Sequence, residues 1–354
     1  MAATQNPMQT GTPPPSVSKA TLHMSGLLCD VYGLDELINQ RPTAISCLWL
    51  HHPRLRAKED MADFASRIVS QQQQRGATGG RALIAVAFDQ RNHGSRLVAP
   101  KANESWREGN GTHALDMWGM VSGMVSDTRG LIDVVEGYVK LELAGRGVDG
   151  AAWKIDQHLV LGVSLGGHSA WQTLFRDERV EAGVVAIGCP DYAGLLADRA
   201  KKSRLASFDV KDGGASFLGG RDFPADLVAA CLREDPKGML FGTGPVPMKG
   251  SLDDGEKGRL RGVLDGLRIT GKRFLVCSGA EDKLVPYAAS EAFVEVLREA
   301  AGTWYADAAL VVENRVYEGV GHEFSAGMVE DACRFLLDAV SAADGRGKEG
   351  KARI

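Results

Sequence analysis

Apolar and polar residues along the 354-residue chain follow two rhythms. Short apolar runs occupy residues 44–50, 82–88, 158–163, 184–188, 272–279 and 309–312, the last continuing through 316–317. Between them lie stretches in which apolar side chains recur every three or four positions, at 61–69, 169–175, 288–300 and 328–342. The first rhythm predicts strands and the second helices. Their alternation predicts βαβ units, and so an α/β fold with a mostly parallel sheet flanked by helices. A first strand pair is expected within 22–32. A helix is expected within 117–143, although Gly119, Gly123 and Gly130 weaken its first half. The alternation breaks between about 191 and 267, where glycine turns (Asp212-Gly213-Gly214, Gly219-Gly220) separate helical patches such as 225–232.

One junction in this pattern carries chemistry. The apolar run ending at Val163 passes through Gly162-Val163-Ser164-Leu165-Gly166 directly into a helical stretch. A strand-to-helix turn this tight strains the serine backbone and lifts its hydroxyl clear of the sheet. Glycines flank it because side chains there would collide with the neighbouring elements. Gly-x-Ser-x-Gly alone is common by chance. Between a strand and a helix it makes Ser164 a candidate nucleophile, the alternative being a glycine-rich turn that buries a serine.

A serine hydroxyl needs a histidine to take its proton and a carboxylate to orient that histidine. The run 272–279 ends in Gly279-Ala280-Glu281-Asp282, which puts Asp282 at the carboxyl end of a strand, where α/β sheets place their sites. Glu281, one residue away, and Asp191, just after 184–188, are the other candidate acids. The next strand ends in Glu318-Gly319-Val320-Gly321-His322, so His322 is the candidate base. For the developing oxyanion, the backbone N–H of Leu165 is one candidate donor. The other comes from the loop after 44–50, which reads His51-His52-Pro53-Arg54. Pro53 has no N–H, which leaves Arg54, with Leu55 as the second choice. The paired histidines do not suggest a metal, because adjacent residues on a strand point to opposite faces.

These residues together resemble the α/β-hydrolase family, over about 22–342. The order Ser164, Asp282, His322 is similar to the family's catalytic order. Asp89-Gln90-Arg91-Asn92-His93-Gly94 looks like the family's Asp-x-Arg-x-His-Gly turn, which implies a structural role with the carboxylate and guanidinium bracing the turn. His93 comes too early in the chain to be the base. His113, Asp116 and His168 are read as capping or packing residues. Many relatives carry His-Gly where this chain has His52-Pro53. The resemblance also implies a cap after the sixth strand, here 191–267, with Leu218, Met239, Leu240, Phe241 and Met248 available to line an acyl or alcohol pocket.

Composition narrows the function classes. Apolar residues make up 44% and charged residues 24%, an ordinary globular profile. A net charge of −4 leaves no nucleic-acid footprint. No run of about eighteen apolar residues suggests a membrane span. Residues 1–18 are polar and proline-rich, unlike a signal peptide, and are expected to be disordered. The six cysteines form no Cys-x-x-Cys pair, and Cys47, Cys189 and Cys277 fall in or beside core strands. A reducing cytoplasmic setting fits them best. The ending Ala352-Arg353-Ile354 echoes the peroxisomal Ser-Lys-Leu address only loosely.

The expected layout is a tail over 1–18, a core over 19–190 and 268–342, a cap over 191–267 and a flexible tail over 343–354. The expected function is a serine hydrolase acting on a carboxylic ester or related acyl bond of a small or medium organic molecule. No metal or organic cofactor and no nucleic-acid partner is expected. The alternatives are an aminopeptidase or oligopeptidase-like peptidase, an acyltransferase or thioesterase, and a non-catalytic ligand-binding protein.

Overall fold

A computed structural model describes residue 8 and residues 12–75, 80–150 and 153–351. The apolar runs pair into one eight-stranded sheet: β1 (Lys19–Met24), β2 (Leu27–Tyr32), β3 (Ala44–His51), β4 (Arg81–Phe88), β5 (Ile155–Val163), β6 (Val180–Ala186), β7 (Arg273–Gly279) and β8 (Val311–Tyr317). Their spatial order is β1-β2-β4-β3-β5-β6-β7-β8. β1 and β2 form a hairpin over Ser25-Gly26, whose φ values of 49° and 83° suit a tight two-residue turn. β2 runs antiparallel to both its neighbours, and the other neighbouring pairs are parallel.

Helices bury the two faces of this sheet. Alternate residues of β3 show the division: Leu48 and Leu50 face one core, and Trp49 faces the other. The Leu48 side is covered by α2 (Ala62–Gln74) through Phe64 and Ile68 and by α11 (Ala326–Lys351) through Phe335, Leu336 and Val340. The Trp49 side is covered by α1 (Leu34–Gln40), α3 (His113–Ile132), α4 (Val135–Gly145), α5 (Leu165–Arg176) and α10 (Glu291–Gly302). Trp171, Phe175, Phe274 and Phe293 stack there with ring centroids 5.7–6.2 Å apart.

Three local expectations shift. The helix expected over 117–143 is two helices, interrupted where Val134 (φ −130°) leaves the helical region. Gly123 does not weaken α3; a Cβ there would lie 2.4 Å from Arg91 Cδ, so its bareness admits that side chain. The tail expected beyond 342 is instead a continuation of α11 to Lys351. Residues 12–18 form neither helix nor strand, while Met8 is buried beside the α2–α11 face. The rest of the expected N-terminal tail, and Ala352-Arg353-Ile354, lie outside the described residues.

The segment between β6 and β7 holds α6 (Tyr192–Ser203), α7 (Ala225–Glu234), α8 (Pro236–Phe241) and α9 (Asp254–Gly266). It divides between two packings. Leu240, Leu260 and Leu264 join the main core. Leu195, Leu196, Phe217, Phe223 and Leu227 instead form a separate cluster with Met117, Trp118 and Leu165. This α6–α7 half of the segment packs beside Leu165, at the carboxyl end of β5.

Candidate active site

β5 turns into α5 at Ser164, whose φ of 56° and ψ of −113° lie outside the usual regions for a residue with a side chain. The turn has room only for glycine at its flanks. A Cβ on Gly162 would sit 1.9 Å from Gly166 O, and one on Gly166 2.0 Å from His51 O. The strained turn is tied down by Ser164 N–H donating to Ala186 O (2.9 Å) and His168 N–H donating to Ser164 O (3.1 Å).

The loops after β7 and β8 meet over this serine. Ala280 N–H donates to Tyr317 O (3.0 Å) and Glu281 N–H to Val320 O (2.9 Å). His322 Nε2 lies 2.8 Å from Ser164 Oγ, and its Nδ1 lies 2.7 Å from Asp282 Oδ2. Asp282 is buried; its Oδ1 accepts from the N–H groups of Leu284 (2.8 Å) and Val285 (2.9 Å). Both carboxylate oxygens are thereby engaged, and one is held on the imidazole. Glu281 is exposed, and Asp191 caps α6 by accepting from Gly194 N–H (2.9 Å). Neither understudy reaches His322 in this way.

The strand order, the antiparallel second strand and a serine elbow after the fifth strand settle the architecture. This is the α/β-hydrolase fold. No protein-family model matches the sequence, and no curated protein is significantly similar to it. Solved structures of similar shape include a Thermus thermophilus protein, 18% identical, with 92% of this chain and 99% of that one covered at a TM-score of 0.48. An S-formylglutathione hydrolase from Agrobacterium tumefaciens is 16% identical over 93% of this chain and 94% of its own, at 0.47. An arylesterase is 13% identical over 93% and 86%, at 0.46.

A cleft of about 480 Å³ opens at Ser164 and His322, walled by Pro53, Arg54, Leu55, Lys283 and Leu284. Leu165 is the first residue of α5, so its N–H has no acceptor within the helix. Leu55 takes the left-handed conformation (φ 61°), which turns the backbone after β3 along the cleft. Arg54 and Leu55 both border it. The apolar residues expected to line a pocket lie elsewhere. Leu240 is in the main core, Met239 and Phe241 pack against that core, Leu218 packs on the α6–α7 cluster, and Met248 is exposed. Their apolar character serves packing, except at Met248.

The Asp89 turn is braced differently from expectation. Asp89 accepts from Lys58 N–H (2.9 Å) and from the N–H and hydroxyl of Ser95 (2.8 and 2.7 Å), which holds its carboxyl below the usual range despite burial. Arg91 donates not to Asp89 but to Asp127 (3.2 Å), which also binds Arg96 (2.8 Å). Asp116 accepts from Asn110 Nδ2 (3.0 Å) and Thr112 Oγ1 (2.7 Å) at the start of α3.

Several other histidines make structural hydrogen bonds. His52 Nε2 accepts from Gln90 N–H (2.9 Å), which leaves Nδ1–H to donate to Pro53 O (2.8 Å). His168 Nδ1 lies 2.9 Å from Cys189 N and 3.1 Å from Cys189 O. His51 is wholly buried against Thr128 Oγ1 (3.0 Å). Burial pushes His51 down to about 3, and His52, His113 and His168 to about 4. Among the described residues no three His, Cys, Asp or Glu side chains gather as a metal site, and no helix is long and apolar enough to cross a membrane. Arg199 and Lys283, near this site, carry no sequence signal: each reads as an ordinary polar-face or loop cation.

Proposed function

We propose that the protein is a serine hydrolase that cleaves a carboxylic ester, or a related acyl bond, of a small or medium organic substrate. One observation carries this: the unbroken hydrogen-bond chain from Ser164 Oγ through His322 to Asp282 at the cleft. Ser164 Oγ attacks the carbonyl carbon as its proton passes to His322 Nε2. Asp282 holds Nδ1–H, keeping Nε2 free as the acceptor, and balances the imidazolium that forms. The N–H of Leu165 and that of Arg54, or of Leu55 beside it, meet the charge on the carbonyl oxygen. Collapse breaks the bond to the alcohol oxygen, which takes the proton from His322. Water, deprotonated by His322, then attacks the acyl-enzyme, releases the acid and restores the Ser164 hydroxyl.

These steps use no metal or organic cofactor. Within 191–267, the α6–α7 half, which packs with Met117, Trp118 and Leu165, acts in this reading as a cap that excludes water and selects substrate. The six cysteines are free and buried, which fits a reducing cytoplasmic setting.

Fluorophosphonate labelling with mass mapping, run beside p-nitrophenyl acetate, butyrate and octanoate, tests the proposal. Label is expected on Ser164, and Ser164→Ala is expected to lose both label and turnover while remaining folded. Label retained by that variant would refute the assignment. Faster cleavage of aminoacyl-arylamides than of the aryl esters would move the reading to a peptidase.

A further inference from the structure

A second cavity, of about 270 Å³, shares Arg54, Lys283 and Leu284 with the cleft at Ser164. Its wall is rich in cations, and its carboxylates are already engaged. Asp198 pairs with Lys202 at 2.6 Å. Glu108 accepts from Ser105 N–H (2.9 Å) and shares a hydrogen bond with Glu104. Arg54 donates to the Asn103 carbonyl (2.9 Å), with Glu104 and Glu108 its nearest opposite charges.

Arg199, reaching in from α6, has poorer company. Its Nη1 lies 3.3 Å from Met117 Sδ, a weak acceptor, and its Nη2 3.5 Å from Leu284 O, at the long limit of useful contact. Its Nε is buried without a hydrogen-bond partner among the described residues. Burial and the neighbouring Arg54 charge push it down to about 10, with the Asp282 carboxylate pulling more weakly the other way. Three guanidinium groups, those of Arg54, Arg107 and Arg199, thus line a cavity beside the nucleophile, and among the described residues Arg199 has only a thioether and a carbonyl for hydrogen-bond partners. Bracing Met117 and Leu284 does not require a charge. A desolvated cation with no carboxylate in hydrogen-bond contact is costly, and an anion entering the cavity lowers that cost.

We propose that this cavity is an anion subsite in which Arg199 and Arg54, with Lys283 at the rim, take a carboxylate carried by the substrate. The subsite rests on the serine-hydrolase reading above and specifies its substrate class: esters bearing a second, ionised group. The planar guanidinium fork suits a carboxylate, and the exposed Lys283 adds attraction at the entrance.

Two matched ester pairs test this on the full-length protein. Mono-4-methylumbelliferyl adipate against the hexanoate places the charge on the acyl side. 4-Acetoxyphenylacetate against p-tolyl acetate places it on the alcohol side. In one pair the anionic ester is expected to have a kcat/KM about tenfold or more above its neutral partner, carried mainly by KM, as a charge-assisted hydrogen bond allows. Added salt is expected to shrink that ratio. Arg199→Met is expected to bring it near parity, and Arg199→Lys to keep part of it. Because the ratio is taken within one variant, a general loss of folded enzyme cancels. A wild-type enzyme that labels with fluorophosphonate yet shows no anionic preference in either pair overturns the subsite alone. So does an unchanged ratio in Arg199→Met. Failure to label and to turn over any ester overturns the hydrolase reading and the subsite with it.

Discussion

Lowering the pH from about 7.5 to about 5 perturbs several buried imidazoles at once, and the cost can be worked from their partners. His52 and His158 each use one ring nitrogen to accept an N–H, from Gln90 and from Trp49 Nε1 at 3.3 Å, while His168 Nδ1 lies against both the N–H and the carbonyl of Cys189. A proton on the accepting nitrogen of His52 or His158 would turn acceptor into donor and break the bond. Burial is the main cause for all three, and each is pushed from the ordinary 6.5 to about 4. The unfolded chain therefore binds protons that the folded protein refuses. Stability is fully present above 6.5 and is lost as pH falls from there towards 4. At pH 5 each such group costs about 2 kcal/mol relative to neutral pH, so the three together cost about 6 kcal/mol, comparable to the whole stability of many domains. His51 and His113, lowered by burial to about 3 and about 4, act in the same direction. Urea denaturation followed by far-UV circular dichroism at several pH values measures this. A plateau above pH 7 and a steep fall below 6.5 are expected. His168→Asn keeps an acceptor for Cys189 N–H while removing one titrating group, so its slope should be shallower by about one proton, or about 1.4 kcal/mol per pH unit. Wild-type stability constant within about 1 kcal/mol across this range would refute the reasoning.

Other outcomes follow from the elbow and the acid. Asp282→Asn preserves an acceptor for Leu284 and Val285 but offers His322 an N–H donor, which forces the wrong tautomer. It should cut kcat by about 10⁴-fold with little change in melting temperature, and a loss under tenfold would remove Asp282 from its role. Gly166→Ala would place a methyl 2.0 Å from the His51 carbonyl oxygen, so it should destabilise the fold by several kcal/mol, about 3 or more. A melting temperature within about 2 °C of wild type would show that the turn relaxes more freely than its packing suggests.

Much of the sheet was legible because its central strands are buried on both sides and read as unbroken apolar runs. The boundaries around α3 and α4 were not, because three glycines suggested weakness in a helix that one of them instead fits to Arg91. Glycine's propensity is a local property, whereas its use at Gly123 is decided by a side chain 32 positions earlier in the chain. The Asp89 turn misled for a similar reason. Its carboxylate and guanidinium are near in sequence, yet Arg91 turns to Asp127 on α3 and Asp89 to backbone N–H groups. Nothing in the pattern distinguished the main-core residues Leu240 and Leu264 from residues of the separate α6–α7 cluster such as Phe217, since both are simply apolar.

Local chemistry in the sequence was enough to mark Ser164 as special, because the tight turn dictates glycines at fixed offsets and those are visible in one dimension. It also determined the order in which an acid and a histidine follow at strand ends. Which acid faces the histidine was a tertiary decision. Asp282, Glu281 and Asp191 all stand after strands, and only the meeting of the β7 and β8 loops turns one of them inward. The company of Arg54 and Arg199 was likewise invisible. They are far apart in the chain, and their shared cavity exists only once α6 has folded across the loop after β3. Short-range sterics can be read from spacing, but burial and charge depend on neighbours that only folding brings together.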